Sequence, residues 1–542
     1  MKKDKILVVV PKYNNSINPN YFYMFPVGYG YVVAAMLKAK LPIDVINLNH
    51  MSGKSSALIE SYLNKGNYHI LCSGGNSLIY DELKSIISAA KKHPSKPLTV
   101  LGGSIITTEP ELIFRDIQPD YGVIGEAENI IADLLFSLLN GESPQHIPGV
   151  IFEHRGEIIK NQPLSIQNLD NLSFPAMELL GYEEWLENTP SNNSLNAIAL
   201  EKPRLYPILA SRDCPFHCTF CYHYGKYRER SLDNIFLEIN DAVKKYQINY
   251  IVFYDECFSL KPERVKEFCK RINNLRSKID WDLQWGVQLT VKGVNEELCS
   301  LLKESGCNSV AYGFESYDQK ILKSMQKPIT PIEIDNALKL ALKYNFVLYA
   351  LFIFGDTEET TETYKETLEY WKKNAEGQVR LDMIRLFPGS KIYEDSFKRG
   401  LFKDKISFIQ NEMIAEEPIN FTKNMSEIEY QEMFMDICHA RRCYIKHVIP
   451  KSVIHSNKYS KVYVKCPFCK KEAYYDNVLL PSHYRFSIEF ICRYCLRRFN
   501  IISRISWLWM HFKIFHYALI KLIGVKRLWR FKFLFRGLTH GR

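Results

Sequence analysis

Between residues 5 and 140, short runs of Val, Ile and Leu alternate with stretches in which apolar residues recur every three or four positions. A continuous apolar run reads as a strand buried on both faces, and the 3.6-residue period as an amphipathic helix. The runs predict strands at 6–10, 43–48, 69–72, 98–101 and 121–124, with helices at 29–39, 82–92 and 129–140. Strands alternating with helices over such short connections build a parallel sheet covered on both sides. Residues 1–145 are therefore expected to form a flavodoxin-like doubly wound domain.

Residues 146–204 lose this alternation and are rich in Pro, Asn and other polar residues. With a hairpin-like stretch at 150–159 and the turn Phe174-Pro175-Ala176, they read as a linker packed between domains. The alternation returns over 205–400, with strands at 207–210, 250–254, 281–287, 309–313, 347–354 and 381–386. Such repeated βα units predict a partial (β/α)6 barrel. Beyond it, 401–460 reads as a helical extension, 461–502 as a small zinc-ribbon-like module and 503–542 as a basic amphipathic tail. The fold class is α/β.

At 542 residues, with 46% hydrophobic and 24% charged positions, the chain needs several cores and is neither disordered nor fibrous. The net charge of +10 is unevenly spread, because every charged residue after Glu489 is a Lys or an Arg. In the tail, Trp507, Phe512, Phe515 and Trp529 interleave with these cations. Helical spacing over 506–527 puts Lys513, His516 and Arg527 on one side, with Leu508, Phe515 and Leu522 opposite. That pattern suits an anionic membrane surface or a partner, and Lys513 in mid-stretch speaks against a spanning segment. A basic stripe alone is not base readout, which argues against nucleic acid as a partner.

Seven of the 14 cysteines fall into metal-site spacings, which speaks against a disulfide framework, and the opening apolar run reads as a strand rather than a signal sequence. A cytoplasmic protein is expected, or one peripheral to the inner membrane surface through its tail. Cys466 and Cys469, with Cys492 and Cys495, form two knuckles whose four thiolates fit tetrahedral zinc, with an iron site as the alternative. Cys214, Cys218 and Cys221 follow the first strand of the second unit. Three thiolates can hold three irons of a cubane and leave the fourth open to a substrate, whereas four-cysteine clusters carry electrons.

With Phe220 just before its last cysteine, this segment resembles the signature of the radical S-adenosylmethionine superfamily. Further matches follow in chain order: Tyr254-Asp255-Glu256, Gly313-Phe314-Glu315-Ser316, Phe354-Gly355-Asp356 and Phe387-Pro388-Gly389. Upstream, Ser73-Gly74-Gly75-Asn76-Ser77, Gly102-Gly103 and Gly125-Glu126-Ala127-Glu128 stand at strand ends, where doubly wound sheets bind ligands. Together with Phe174-Pro175, that layout is similar to the cobalamin-binding class of the superfamily.

The resemblance implies a 4Fe-4S cluster on Cys214, Cys218 and Cys221, and S-adenosylmethionine near Phe220, Asp255, Glu315, Ser316 and Gly355. It implies cobalamin against Ser73, Gly74, Ser77, Gly102, Gly103, Gly125 and Glu126. An external donor such as flavodoxin or ferredoxin would reduce the cluster, which would split S-adenosylmethionine into methionine and a deoxyadenosyl radical. The implied activity is methylation of an unactivated carbon of a small-molecule or lipid-like substrate. A cobalamin-dependent radical cyclase or other radical transformation is the alternative within enzymes. A cobalamin or metal sensor with a nucleic-acid-binding ribbon is the alternative of another class.

Three departures stand out. Asp213 occupies a position where many relatives have glycine. The third barrel strand offers Gln284 and Gln288 where relatives often present a basic residue to the methionine carboxylate. The Asp-x-His-x-x-Gly motif that gives cobalt a lower histidine is missing, since no aspartate stands two residues before His50, His69 or His93.

Overall fold

The computed structural model describes residues 5–13, 23–191, 200–415, 419–456 and 458–523; Arg527 and Trp529 of the tail lie outside them. Ile6 to Val10 are all buried, as a strand covered on both faces requires, and they belong to β1 (Lys5–Val10), an interior strand of the first sheet. It lies between β2 (Ile43–Asn47) and β3 (Tyr68–Gly74), followed by β4 (Leu98–Gly102) and β5 (Tyr121–Val123) in the order β2-β1-β3-β4-β5. All these pairs are parallel, with Val8 opposite both Val45 and Cys72. This is the expected doubly wound order.

The hairpin at the start of the expected linker belongs to this sheet. β6 (Val150–His154) pairs antiparallel with β5, and β7 (Glu157–Lys160) with β6, giving 7 strands. Val150, Ile151 and Phe152 are buried, so the hairpin covers what would otherwise be an open sheet edge. The rest of the linker is a wedge. Trp185 and Tyr182 pack on Phe25, the Trp185 indole donates to the Tyr23 carbonyl (2.9 Å), and Ala176 N donates to Gly30 O (3.0 Å). A Cβ on Gly30 would stand 2.7 Å from Pro175, so only glycine lets the Phe174-Pro175 turn lie on that helix. One apolar core therefore runs from Ile6 through Trp185 to Tyr250.

The second sheet has 6 strands in the order β15-β14-β13-β12-β11-β8, all parallel. They are β8 (Leu205–Ile208), β11 (Tyr250–Phe253), β12 (Gln284–Gln288), β13 (Cys307–Glu315), β14 (Val347–Phe354) and β15 (Arg380–Met383). Neighbours in space follow chain order, which makes an open half-barrel. A short pair, β9 (Ser211–Arg212) and β10 (Arg228–Glu229), stands at its rim. β12 starts later than its apolar pattern predicts, because Trp281 donates to Ile248 O (2.8 Å) and Asp282 pairs with Arg276 (3.1 Å) in the connection before it.

Within the expected helical extension, helix Glu427–Tyr444 starts at a Ser426–Glu429 capping box. The small module begins earlier than its cysteines suggest, with β16 (His447–Val448) and β17 (Ser452–His455). β18 (Ser460–Lys465) and β19 (Glu472–Val478) complete one three-stranded sheet with β17, while β20 (Ser487–Ile491) and β21 (Arg498–Ile502) join β16 in another. Arg498 pins the module to the half-barrel, donating to Leu348 O (2.8 Å) and pairing with Glu489 (2.9 Å), which also takes Arg380 (2.6 Å). The last helix, Arg504–Ile523, leaves directly from β21. Among the described residues no helix is long and apolar enough to cross a membrane.

Candidate active site at the joint of two sheets

The loop that carries Cys214, Cys218 and Cys221 is tied at its base by the β9–β10 pair, where Arg212 faces Arg228. Asp213 takes a left-handed backbone (φ 62°), which Asp tolerates better than most residues. Its carboxylate accepts from Gly225 N (3.0 Å) and Arg228 Nη2 (2.6 Å), so the departure from glycine adds a clasp across the loop. Thr219 N donates to Met325 O (3.0 Å), Ile392 N to Thr219 O (3.1 Å), and Cys221 N to Cys218 O (3.1 Å). Phe220 is partly buried and packs against the second apolar core, to which Ile353 and Ile384 belong. Cys218 is buried and Cys221 exposed; burial pushes the Cys218 thiol up to about 11, so holding it as a thiolate calls for a bound cation.

Lys327 is a buried cation that the sequence did not single out. Its ammonium lies 3.0 Å from the carboxylate of Glu315, the last residue of β13, which has a left-handed backbone (φ 60°). Burial would strip the proton, but Glu315 and the thiols of Cys218 and Cys221 outweigh it and hold Lys327 charged. A Cβ on Gly313 would come within 2.5 Å of both partners, so glycine there is the space in which the pair lies. The only hint in sequence was a lysine following the Glu315 motif.

The remaining expected contacts divide into groups facing the site and groups supporting it. Asp255 lies beneath the loop: Oδ1 accepts from Ala210 N (2.7 Å) and Ser211 N (2.9 Å), Oδ2 has no partner, and burial pushes the carboxyl up to about 7. The Ser316 hydroxyl is engaged with Thr367 (3.1 Å) and accepts from Asp318 N (3.1 Å). Gly355 has φ 95°, and its N–H donates to Glu359 (3.1 Å), a fully buried acid that burial pushes up to about 7. Glu359, which closes the fifth-strand motif in sequence, holds that strand end.

Between the carboxyl edges of the two sheets lies a cavity of about 570 Å³, within the roughly 300–1,000 Å³ common for small-molecule and cofactor sites. Ser73, Gly74, Gly102, Gly103, Gly125 and Glu126 line it from one side, and Arg212, Asp213, Tyr224, Tyr254 and Glu256 from the other. Ser77 lies apart from this lining, at the start of the turn Ser77–Ile79, while its cap Asn76 takes a place on the wall. Tyr29 also lines the wall and secures β3, its hydroxyl accepting from Gly74 N (2.7 Å) and donating to Val9 O (3.1 Å). The glycines differ in role. A Cβ on Gly103 (φ 89°) would meet Gly75 backbone at 2.5 Å, so that glycine serves loop-to-loop approach, whereas Gly28 and Gly102 face open space within 4 Å. Among the described residues no histidine lines the cavity.

A chain of charges crosses the joint: Glu128–Arg212 (2.5 Å), Arg212–Glu126 (2.8 Å), Glu126–Arg228 (2.7 Å) and Arg228–Asp213 (2.6 Å). It couples the glycine loop of the first sheet to the cysteine loop of the second, and it occupies the Glu126 carboxylate, which also accepts from Ile166 N (2.7 Å). Burial would raise the Glu126 carboxyl, but hydrogen bonds from Arg228 and Arg212 outweigh it and hold it below its usual range. Its stabilisation is therefore intact above the unfolded value of about 4.3 and is lost as pH falls through the folded one. Arg228→Met would leave two buried carboxylates short of a counter-charge and should cost about 3–5 kcal/mol in urea unfolding. Arg228→Lys should recover part of that, and Glu126→Gln should flatten the acid limb of stability against pH.

In the small module the thiols of Cys466, Cys469, Cys492 and Cys495 all lie within 4.8 Å of one another. Cys466–Cys495 and Cys469–Cys492 are each 3.7 Å apart, close to the roughly 3.8 Å edge of a tetrahedron with metal–sulfur bonds of about 2.3 Å. Phe468 N and Tyr494 N donate to Cys466 Sγ (3.4 Å) and Cys492 Sγ (3.5 Å), and Lys470 and Leu496 turn left-handed in matching positions. The two knuckles thus have the same local geometry, and the group can hold one metal ion.

The half-barrel with its rim cysteines falls in a known class: residues 208–370 match the Radical SAM superfamily. An uncharacterised methyltransferase of Pyrococcus horikoshii is 28% identical over 332 residues, covering 60% of this chain and 68% of the relative. The anaerobic magnesium-protoporphyrin IX monomethyl ester cyclase of Rubrivivax gelatinosus is 24% identical over 335 residues, 60% of this chain and 57% of that protein. This chain thus spans only part of each relative's length. The two-domain fold is shared with the radical S-adenosylmethionine methyltransferase TsrM of Kitasatospora setae, solved with cobalamin and a [4Fe-4S] cluster (TM-score 0.59, 17% identity, 80% of this chain and 82% of that one).

Proposed function

We propose that the chain is a cobalamin-dependent radical S-adenosylmethionine methyltransferase acting on an unactivated carbon of a small molecule. The observation that carries this reading is the shared cavity: the glycine-lined edge of the first sheet faces Asp213 and Tyr224 of the cysteine loop across one space. When bound, the cluster would supply an electron and an open iron for S-adenosylmethionine, and cobalamin a transferable methyl group.

The chain's own residues would orient these groups. Cys214, Cys218 and Cys221 hold the cluster, with Asp213 and Asp255 fixing their loop from above and below. Lys327, held by Glu315, offers a cation for the methionine carboxylate that Gln284 and Gln288 do not provide. Phe220 and Gly355 would flank the adenine. Gly28 and Gly102 leave the space that a corrin would fill, and the walls Val8, Val32, Met36 and Val100 keep water from it. Tyr13 and Asn76 supply polar atoms on the wall where a cobalt histidine is missing. The four cysteines of the small module would hold structural zinc, and an external flavodoxin or ferredoxin would supply the electron. A radical cyclisation would use the same residues, and the Rubrivivax relative's name keeps it as the second reading.

Anaerobically reconstituted, reduced enzyme given methyl-labelled S-adenosylmethionine and a cell extract should transfer label to a product. Formation of 5′-deoxyadenosine without any labelled product would sink methylation in favour of the cyclase reading. Gly102→Phe should cut the cobalamin retained through gel filtration at least about tenfold while iron content stays unchanged. Equal retention would remove the corrin from this cavity.

A further inference from the structure

The last helix packs with its polarity reversed. Lys513 is 5% exposed, whereas Ile505 (55%), Leu508 (64%), Trp509 (40%), Phe512 (54%) and Phe515 (68%) face outward. The inward face is anchored by polar contacts: the Tyr517 hydroxyl bonds Asp436 (2.5 Å), and its ring stacks on His439 at 3.9 Å. The helix start is set by Ser503, whose Oγ accepts from Ser506 N (3.1 Å), directly after β21 of the module that Arg498 pins to the half-barrel. Arg485 lies over the Trp509 ring (5.7 Å) at the edge of the exposed stripe. The apolar stripe therefore stands in a fixed orientation on the outside of the protein.

Its charge surroundings select what covers it. After Glu489 the chain holds no acidic residue, and the helix is followed in sequence by Lys526, Arg527, Arg530, Lys532 and Arg536 interleaved with Trp529, Phe531, Phe533 and Phe535. A second copy would bring the same cations against these and be repelled. An anionic bilayer supplies the opposite charge, an apolar layer for Leu and Phe, and an interfacial zone that Trp favours. We propose that the outward face of helix Arg504–Ile523, in a stretch of chain whose only charged residues are cationic, docks this protein in the plane of an anionic lipid surface. The proposal does not depend on the reaction, which is read separately as 5′-deoxyadenosine formed in lipid-free buffer.

The test is flotation of the full-length protein with vesicles of phosphatidylcholine alone or with phosphatidylglycerol added. The protein should float with the anionic vesicles at least about tenfold more than with neutral ones, and less as salt rises. The triple variant Leu508→Glu, Phe512→Glu, Phe515→Glu should lose that binding while keeping its iron–sulfur absorbance and zinc content. Equal recovery on both vesicles, or unchanged binding by the triple variant, overturns the proposal. So does a lipid-free dimer that the triple variant turns into a monomer, which would assign the face to a second copy.

Discussion

Cys218→Ala should lower formation of 5′-deoxyadenosine from S-adenosylmethionine by about three orders of magnitude or more, a barrier change of at least about 4 kcal/mol. Cys218 is buried on a turn held by Thr219, Met325 and Ile392 backbone bonds, so its thiol cannot be replaced by a movable neighbour. With two thiolates left, one iron of the cubane loses its protein ligand, and iron content and visible absorbance should fall together with turnover. Alanine keeps the small apolar volume, so far-ultraviolet circular dichroism should be unchanged. Cys466→Ala is the comparison: it should release zinc while leaving the cluster absorbance in place, because the two thiol groups belong to separate modules. Full deoxyadenosine formation by Cys218→Ala would overturn the cluster assignment.

Lys327→Met should weaken binding of S-adenosylmethionine about 10- to 100-fold, or about 1.4–2.7 kcal/mol, the scale of one charge-assisted hydrogen bond. The buried Glu315 carboxylate would lose its counter-ion as well, so a fall in stability is also expected. Equilibrium binding to the folded fraction separates the two effects. Lys327→Arg keeps the charge and should recover most of the affinity, whereas a purely structural role would let it recover stability with no change in affinity between the variants. Unchanged affinity in Lys327→Met would return the carboxylate contact to another group.

Much of the site could be read directly from the chain. The three cysteines, Phe220, Glu315 and Gly355 stand at strand ends whose chain order is also their spatial order, because each parallel strand pairs with the one before it after a helical crossover. The glycine loops of the first sheet were legible for the same reason. Ser77 lies outside the cavity lining because one extra turn, capped by Asn76, carries it away from the strand end. Glu126 was read as a ligand contact, yet its carboxylate bonds two arginines far away in sequence. Periodicity does not encode such pairings.

What the sequence determined by itself was local: cysteine spacing, the alternation of buried strands with amphipathic helices, the left-handed tolerance of Asp213 and the one-sided charge of the tail. These depend on neighbouring residues and on backbone geometry. Tertiary structure alone decided which distant groups meet. It set Arg212 between Glu126 and Glu128, more than 80 residues away. It brought Lys327 to the thiols of Cys218 and Cys221 and turned Lys513 inward so that Phe512 and Phe515 face out. Charge pairing and side-chain burial depend on packing across the fold, where distance in space is free of distance along the chain.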